Sequence, residues 1–168
     1  MDKIKIAGIV DESIVDGPGI RLTVFVQGCS HDCAGCHNPE SHDPAGGTWM
    51  KVEKIIEMLD KNPLLDGITL SGGEPFQQAP QCAAIASAAK EKGLNVITYS
   101  GYTFETITAE QDVHPGWRAL VEQSDVLVDG PFVLAKRSLM LRFRGSENQR
   151  IIDVKNSLAE NEVVTIIY

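Results

Sequence analysis

The chain's punctuation constrains its fold more than any other feature. Short apolar runs alternate with stretches of helical period, and Gly, Pro or Ser marks most of the changes. Ile4 to Val10 reads as a strand. Ile20, Leu22, Val24 and Val26 then alternate with Arg21, Thr23, Phe25 and Gln27, the period of a strand with two different faces. Gly17-Pro18-Gly19 supplies the tight turn between them. Val52, Ile55, Ile56 and Leu59 recur at helical spacing, which predicts an amphipathic helix over about residues 51–61. A buried strand over Gly67 to Ser71 ends at Gly72-Gly73. A helix then starts near Pro80, carries Cys82, Ile85, Ala86 and Ala89 as its apolar stripe, and stops before Gly93. Asn95 to Tyr99 is the next strand, Trp117, Leu120 and Val121 mark a short helix, and Val126 to Val128 is another strand. Val163 to Ile167 is predicted as a terminal strand, and nothing periodic stands between Pro131 and Asp153. Such alternation builds βα units on a largely parallel sheet. The expected class is therefore α/β. A closed eight-stranded barrel needs about 250 residues, so 168 residues imply an incomplete β/α barrel with mostly parallel strands.

No repeat, linker or low-complexity tract divides the sequence, and residues 1–168 are read as a single domain. With 43% hydrophobic residues the chain can bury a core without staples. Fifteen Lys and Arg against 23 Asp and Glu give a net charge of −8, which argues against nucleic acid as a partner. No apolar run approaches the roughly 18 residues of a membrane span. Met1-Asp2-Lys3-Ile4-Lys5 does not open a secretory signal. A cytoplasmic protein that neither spans nor binds a membrane is expected. Of the four cysteines, three crowd into eight consecutive residues, whereas a disulfide framework would spread them.

Those three form Cys29-Ser30-His31-Asp32-Cys33-Ala34-Gly35-Cys36, spaced C-x3-C-x2-C. Clustered thiolates suit iron–sulfur or zinc. A closed zinc site usually takes two ligand pairs, and this loop has no second pair of cysteines. Three thiolates on a four-iron cluster leave one iron open to an outside ligand, which makes the cluster reactive. The alternative is a zinc knuckle completed by His31, His37 or His42. The second motif, Ser71-Gly72-Gly73-Glu74-Pro75, closes a buried strand. Its glycines let a ligand approach the backbone, at the strand ends where parallel β/α folds bind ligands. Glu74 adds an acceptor suited to an ammonium group. The same residues also read as an ordinary turn.

Taken together, the two motifs resemble the radical S-adenosylmethionine superfamily and, within it, the glycyl-radical-enzyme activases. Gly17-Pro18-Gly19-Ile20-Arg21 ahead of the cysteine loop, Cys36-His37-Asn38 closing it, and the Gly-Gly-Glu-Pro segment all match. The nearest likeness is to the family that activates the anaerobic (class III) ribonucleoside-triphosphate reductase, which has segments like Val128-Asp129-Gly130-Pro131-Phe132 and Arg144 to Arg150. The resemblance implies a partial barrel of the radical S-adenosylmethionine type. It implies that Cys29, Cys33 and Cys36 hold a [4Fe–4S] cluster whose free iron is chelated by S-adenosylmethionine. Gly72, Gly73 and Glu74 would bind the methionine ammonium, chiefly through backbone carbonyls, and Gly35 and His37 would lie along the adenine beside Cys36. The implied reaction generates a 5′-deoxyadenosyl radical that takes hydrogen from a glycine of the reductase. The implied partners are the reductase large subunit and a low-potential electron donor of flavodoxin, ferredoxin or thioredoxin type. An activase for another glycyl-radical enzyme, such as formate acetyltransferase, is the neighbouring alternative. Gly35 stands where many members place an apolar or aromatic residue, which leaves adenine packing to His37 or elsewhere.

Other residues are read more weakly. Cys82 is expected to be a packed core thiol. Arg21, Thr23 and Gln27 share a strand face, either a polar barrel interior or an exposed surface. Asp129 ends a strand on the presumed active side. Arg144 to Arg150 reads equally as a solvated turn or a substrate contact, Tyr99 and Tyr102 as packing, and His31 and Asp32 as solvent-facing.

Overall fold

A computed structural model of the chain describes residues 2–31, 33–36 and 39–168. Seven strands form one mixed sheet: β1 (Lys3–Ser13), β2 (Arg21–Val26), β3 (Thr48–Lys51), β4 (Gly67–Gly72), β5 (Asn95–Tyr99), β6 (Val126–Asp129) and β7 (Arg150–Asp153). Their order is β3-β1-β2-β4-β5-β6-β7. The four central strands β2, β4, β5 and β6 run parallel. β1, β3 and β7 attach antiparallel at the two ends. With β3 and β7 at the two ends of the sheet the barrel is not closed, as the length requires.

The alternation in β2 decides which residues face which side. Leu22 and Val24 lie in register with Ile68 and Leu70, and Ile68 in turn with Val96; all are buried. They join helices α1 (Val52–Lys61), α2 (Ala79–Glu91) and α4 (Trp117–Gln123) in the main core. In α2 the stripe Cys82, Ile85, Ala86 and Ala89 is wholly buried, so the small side chains let helix and sheet approach closely. The other face carries Arg21, Thr23, Thr69, Ile97, Val126 and Val128, also buried. Arg21 is held there by Thr69 Oγ1 and the carbonyls of Pro18, Ile68 and Asn95. Gln27, buried on the same side, donates to the carbonyls of Glu40 and Asp43. The polar barrel interior is therefore the reading the structure supports.

The predicted terminal strand over Val163 to Ile167 does not form. Thr165 makes a single bridge to Ile152, flanked by Asp153 N to Val164 O and Ile166 N to Ile151 O. β7 spans only four residues, too few to template a longer ladder. Four elements carried no sequence prediction. Edge strand β3 leaves Trp49 exposed and shows no alternation of burial. Helix α3 (Phe104–Glu110) is capped by Thr103, and α5 (Val154–Glu160) by Asp153. β7 lies inside the stretch without periodicity. The parallel set holds four strands, as expected of an incomplete β/α barrel.

Candidate functional site

The cysteine loop leaves the carboxyl end of β2. Its base is tied down by Gly28 N to Ser41 O (2.6 Å) and Cys29 N to His42 O (3.1 Å). A turn from Cys36 N to Cys33 O (3.2 Å) brings those two cysteines close, with Gly35 at φ +73° between them. Gly35 suits that left-handed conformation, and a Cβ there would meet only the flexible end of Leu134. Cys29, Cys33 and Cys36 are half-buried and line one cavity of about 690 Å³. They share it with Ser71, Gly72, Gly73, Tyr99, Ser100 and Gly101 from the carboxyl ends of β4 and β5. Burial pushes the Cys29 thiol up from its ordinary range. Among the described residues no three ligating side chains form a ready-made metal cage. The loop's three cysteines all border the same cavity, and three thiolates are a donor set fit for iron. Asp32 and His37 lie outside the described residues, so the solvent position expected for Asp32 and the adenine contact assigned to His37 fall there too.

The glycine pair also serves a structural purpose that its sequence does not reveal. Gly72 sits at φ +90°, and a Cβ on it would lie 2.5 Å from Val26 N. A Cβ on Gly73 would lie 2.4 Å from the carbonyl oxygen of Gly28. Gly73 N and Glu74 N donate to Val26 O and Gly28 O, each at 2.8 Å. The glycines therefore let the loop after β4 lie against the base of the cysteine loop. Both still border the cavity.

The carboxylate of Glu74 is fully buried and is not among the groups that line the cavity. It accepts from Gly101 N (2.7 Å), Ser100 Oγ (3.0 and 3.1 Å), Phe76 N (3.1 Å) and the ring of His31 (2.6 Å). Those partners occupy the acceptor that was assigned to an ammonium group. His31 in turn is not solvent-facing: its side chain is 16% exposed and packs edge-on against Tyr102. A buried carboxylate needs donors to offset its desolvation, and among the described residues of the cysteine loop His31 supplies one. Glu74 thus joins the cysteine loop, its own loop and the turn after β5.

The remaining candidates have structural settings. Asp129 is buried and accepts from Phe104 N and the guanidinium of Arg150, which also reaches Glu105. These carboxylates push Arg150 further up, and its guanidinium holds Glu105 below its usual range. Gln149 Oε1 accepts from Gly145 N and Ser146 N, and Arg144 Nη1 donates to Gln149 O, so residues 144–150 fold on themselves. Within that segment Arg144, Gly145 and Gln149 border the cavity. Tyr99 also lines it, donating its hydroxyl to Phe143 O. Cys82 is fully buried in α2, and burial raises its thiol strongly. Ser100 and Gly101 are the site residues the sequence reading missed. Their one signal was a Ser-Gly stop after a buried strand on the edge already carrying Gly72-Gly73.

The 4Fe–4S single cluster domain family matches residues 15–152. Two curated relatives are anaerobic ribonucleoside-triphosphate reductase-activating proteins. The one from Vibrio cholerae is 34% identical over 82% of this chain and 90% of its own. The one from Salmonella typhimurium is 36% identical over 81% and 90%. A pyruvate formate-lyase-activating enzyme from Clostridium pasteurianum is 38% identical over 60% of this chain but only 44% of its own. The chain belongs to the 4Fe–4S single cluster domain family and, within it, to the activating enzymes these relatives represent.

Proposed function

We propose that the chain activates the anaerobic ribonucleoside-triphosphate reductase by forming a glycyl radical on its large subunit. The observation that carries this reading is the single cavity shared by Cys29, Cys33, Cys36 and the glycine loop at the carboxyl ends of parallel strands. Cys29, Cys33 and Cys36 hold a [4Fe–4S] cluster, and S-adenosylmethionine occupies the rest. When bound, the reduced cluster supplies the electron that cleaves S-adenosylmethionine to methionine and the 5′-deoxyadenosyl radical. The backbones of Gly72 and Gly73, which border the cavity, and of Glu74 would hold the methionine end, and Gly35, Cys36 and His37 would contact the adenine. Glu74 keeps those elements in place by gripping His31, Ser100 and Gly101. A cavity of about 690 Å³ falls within the usual range for small-ligand sites, roughly 300–1,000 Å³. The open sheet leaves room for a backbone loop of another protein to reach the same space. Glycine is a suitable target because no side chain shields its α-carbon.

The Clostridium relative motivates a second reading, activation of a formate-lyase-type enzyme. Both are tested by mixing anaerobically reconstituted chain, a low-potential reductant, S-adenosylmethionine and each candidate partner, then recording electron paramagnetic resonance. A glycyl radical on the reductase alone supports the first reading. A radical only on the formate lyase moves the assignment there. A colourless chain holding one zinc makes it a binding module instead.

A further inference from the structure

The connection from β6 to β7, residues 131–149, borders the cavity mouth through Phe132, Arg137, Leu139 and Phe143 among others. Its charge is opposite to that of the molecule. It carries Lys136, Arg137, Arg142 and Arg144 against one carboxylate, Glu147, in a chain of net charge −8. Lys90, Lys92, Arg118 and Arg150 are paired with carboxylates. Among the described residues, Lys136, Arg137, Arg142 and Arg144 form no ion pair. Arg144 spends one nitrogen on backbone carbonyls, and Arg142 lies 5.1 Å from the ring centroid of its neighbour Phe143. Between the cations, Leu139 and Met140 are 88% and 90% exposed.

The opposite wall comes from the far end of the sheet. Val15 and Asp16, in the β1–β2 turn, border the same cavity, and Ile14 and Val15 are 72% and 74% exposed. The mouth is therefore an apolar-walled cleft with unpaired cations on one rim and a carboxylate on the other. A small molecule would leave Leu139 and Met140 bare. A protein loop flanked by carboxylates complements the cationic rim and covers the apolar walls, because apolar contact gives affinity while complementary charge gives register and encounter rate.

We propose that residues 134–144 are the docking surface for the protein substrate, which presents carboxylates to Lys136, Arg137, Arg142 and Arg144 and an apolar side chain to Leu139 and Met140. The inference rests on the activase reading above and deepens it. It assigns partner recognition to a segment separate from the cysteine and glycine loops. Lys136, Met140 and Arg142 do not border the main cavity, so changing them tests docking apart from chemistry.

The test uses reconstituted chain with S-adenosylmethionine and purified anaerobic reductase. It compares wild type, the Lys136→Glu/Arg142→Glu double variant, and Met140→Asp. Wild-type affinity should fall as salt rises. The double variant should bind about tenfold or more weakly at low salt and lose most of the salt dependence. Met140→Asp should bind more weakly at every salt concentration. Reductant-driven cleavage of S-adenosylmethionine without the reductase should match wild type in both, which also shows that each variant is folded and loaded. Unchanged reductase affinity in both variants overturns the proposal. So does a loss of flavodoxin or ferredoxin binding with reductase binding intact, which would make the rim an electron-donor site. If wild type forms a radical on the reductase and the variants bind it equally, only the docking inference fails. If wild type forms none, the functional reading fails and takes the docking inference with it.

Discussion

Replacing Glu74 by Gln should destabilise the chain by about 2–4 kcal/mol, although the two side chains have nearly the same shape. The carboxylate accepts from four residues and is fully buried. A carboxamide offers one acceptor oxygen and one NH2. Its better orientation points the oxygen at His31 and Gly101, the two shortest contacts at 2.6 and 2.7 Å. Ser100 can rotate its hydroxyl to accept from the new NH2. Phe76 cannot adapt, because its backbone N–H then faces another donor. An orphaned buried N–H costs about 1–3 kcal/mol, and turning the remaining charge-assisted bonds into neutral ones adds about 1 kcal/mol. Anaerobic urea unfolding followed by tryptophan fluorescence measures the loss, since Trp117 is buried against Phe76 and donates its indole N–H to the Phe76 carbonyl. The midpoint should fall while the slope holds. A loss below about 0.5 kcal/mol would refute the reasoning and return Glu74 to the cavity as a free acceptor.

Single changes of Cys29, Cys33 or Cys36 to Ala should each abolish bound four-iron content, measured as iron and sulfide per chain; wild-type content in any of them removes that residue from the ligand set. Gly73→Ala should lower both stability and iron retention, because its Cβ meets the backbone carbonyl of Gly28 at 2.4 Å and displaces the base of the cysteine loop. Gly93→Ala is the control, with φ +77° but nothing within 4 Å, and should cost only about 1 kcal/mol with iron unchanged. Cys82→Ala should leave iron and sulfide untouched and alter how stability depends on pH. Burial raises the folded thiol above its unfolded value of 9.0, so above that pH only the unfolded chain ionises and stability falls. Apo wild type should lose about 1.4 kcal/mol per pH unit relative to Cys82→Ala above pH 9. Parallel pH profiles would show that Cys82 is not buried as described.

The sequence made the parallel core legible because buried strands and helices carry their period in every residue. Leu22, Val24, Ile68 and Leu70 read correctly from alternation and apolar runs alone. The edges were not legible, since their order comes from partners distant in sequence. Thr48 to Lys51 becomes a strand only by pairing with β1, and Arg150 to Asp153 only by pairing with β6. Val163 to Ile167 failed for the converse reason: its composition suits a strand, but its partner is too short. At the site, spacing located the cysteines and glycines. It could not reveal that Gly72 and Gly73 face another backbone, or that Glu74 and His31 meet across 43 residues. Such contacts depend on how two loops cross, and neither loop encodes the crossing by itself.

Transfer of an isotopic label tests the central claim most directly. Anaerobic reductase is prepared with its glycines deuterated at the α-carbon and mixed with reconstituted chain, reductant and S-adenosylmethionine. The 5′-deoxyadenosine formed is then weighed by mass spectrometry. The account predicts one deuterium in that product, in step with radical appearing on the reductase. Unlabelled 5′-deoxyadenosine at full yield, with no radical on the reductase, would contradict it.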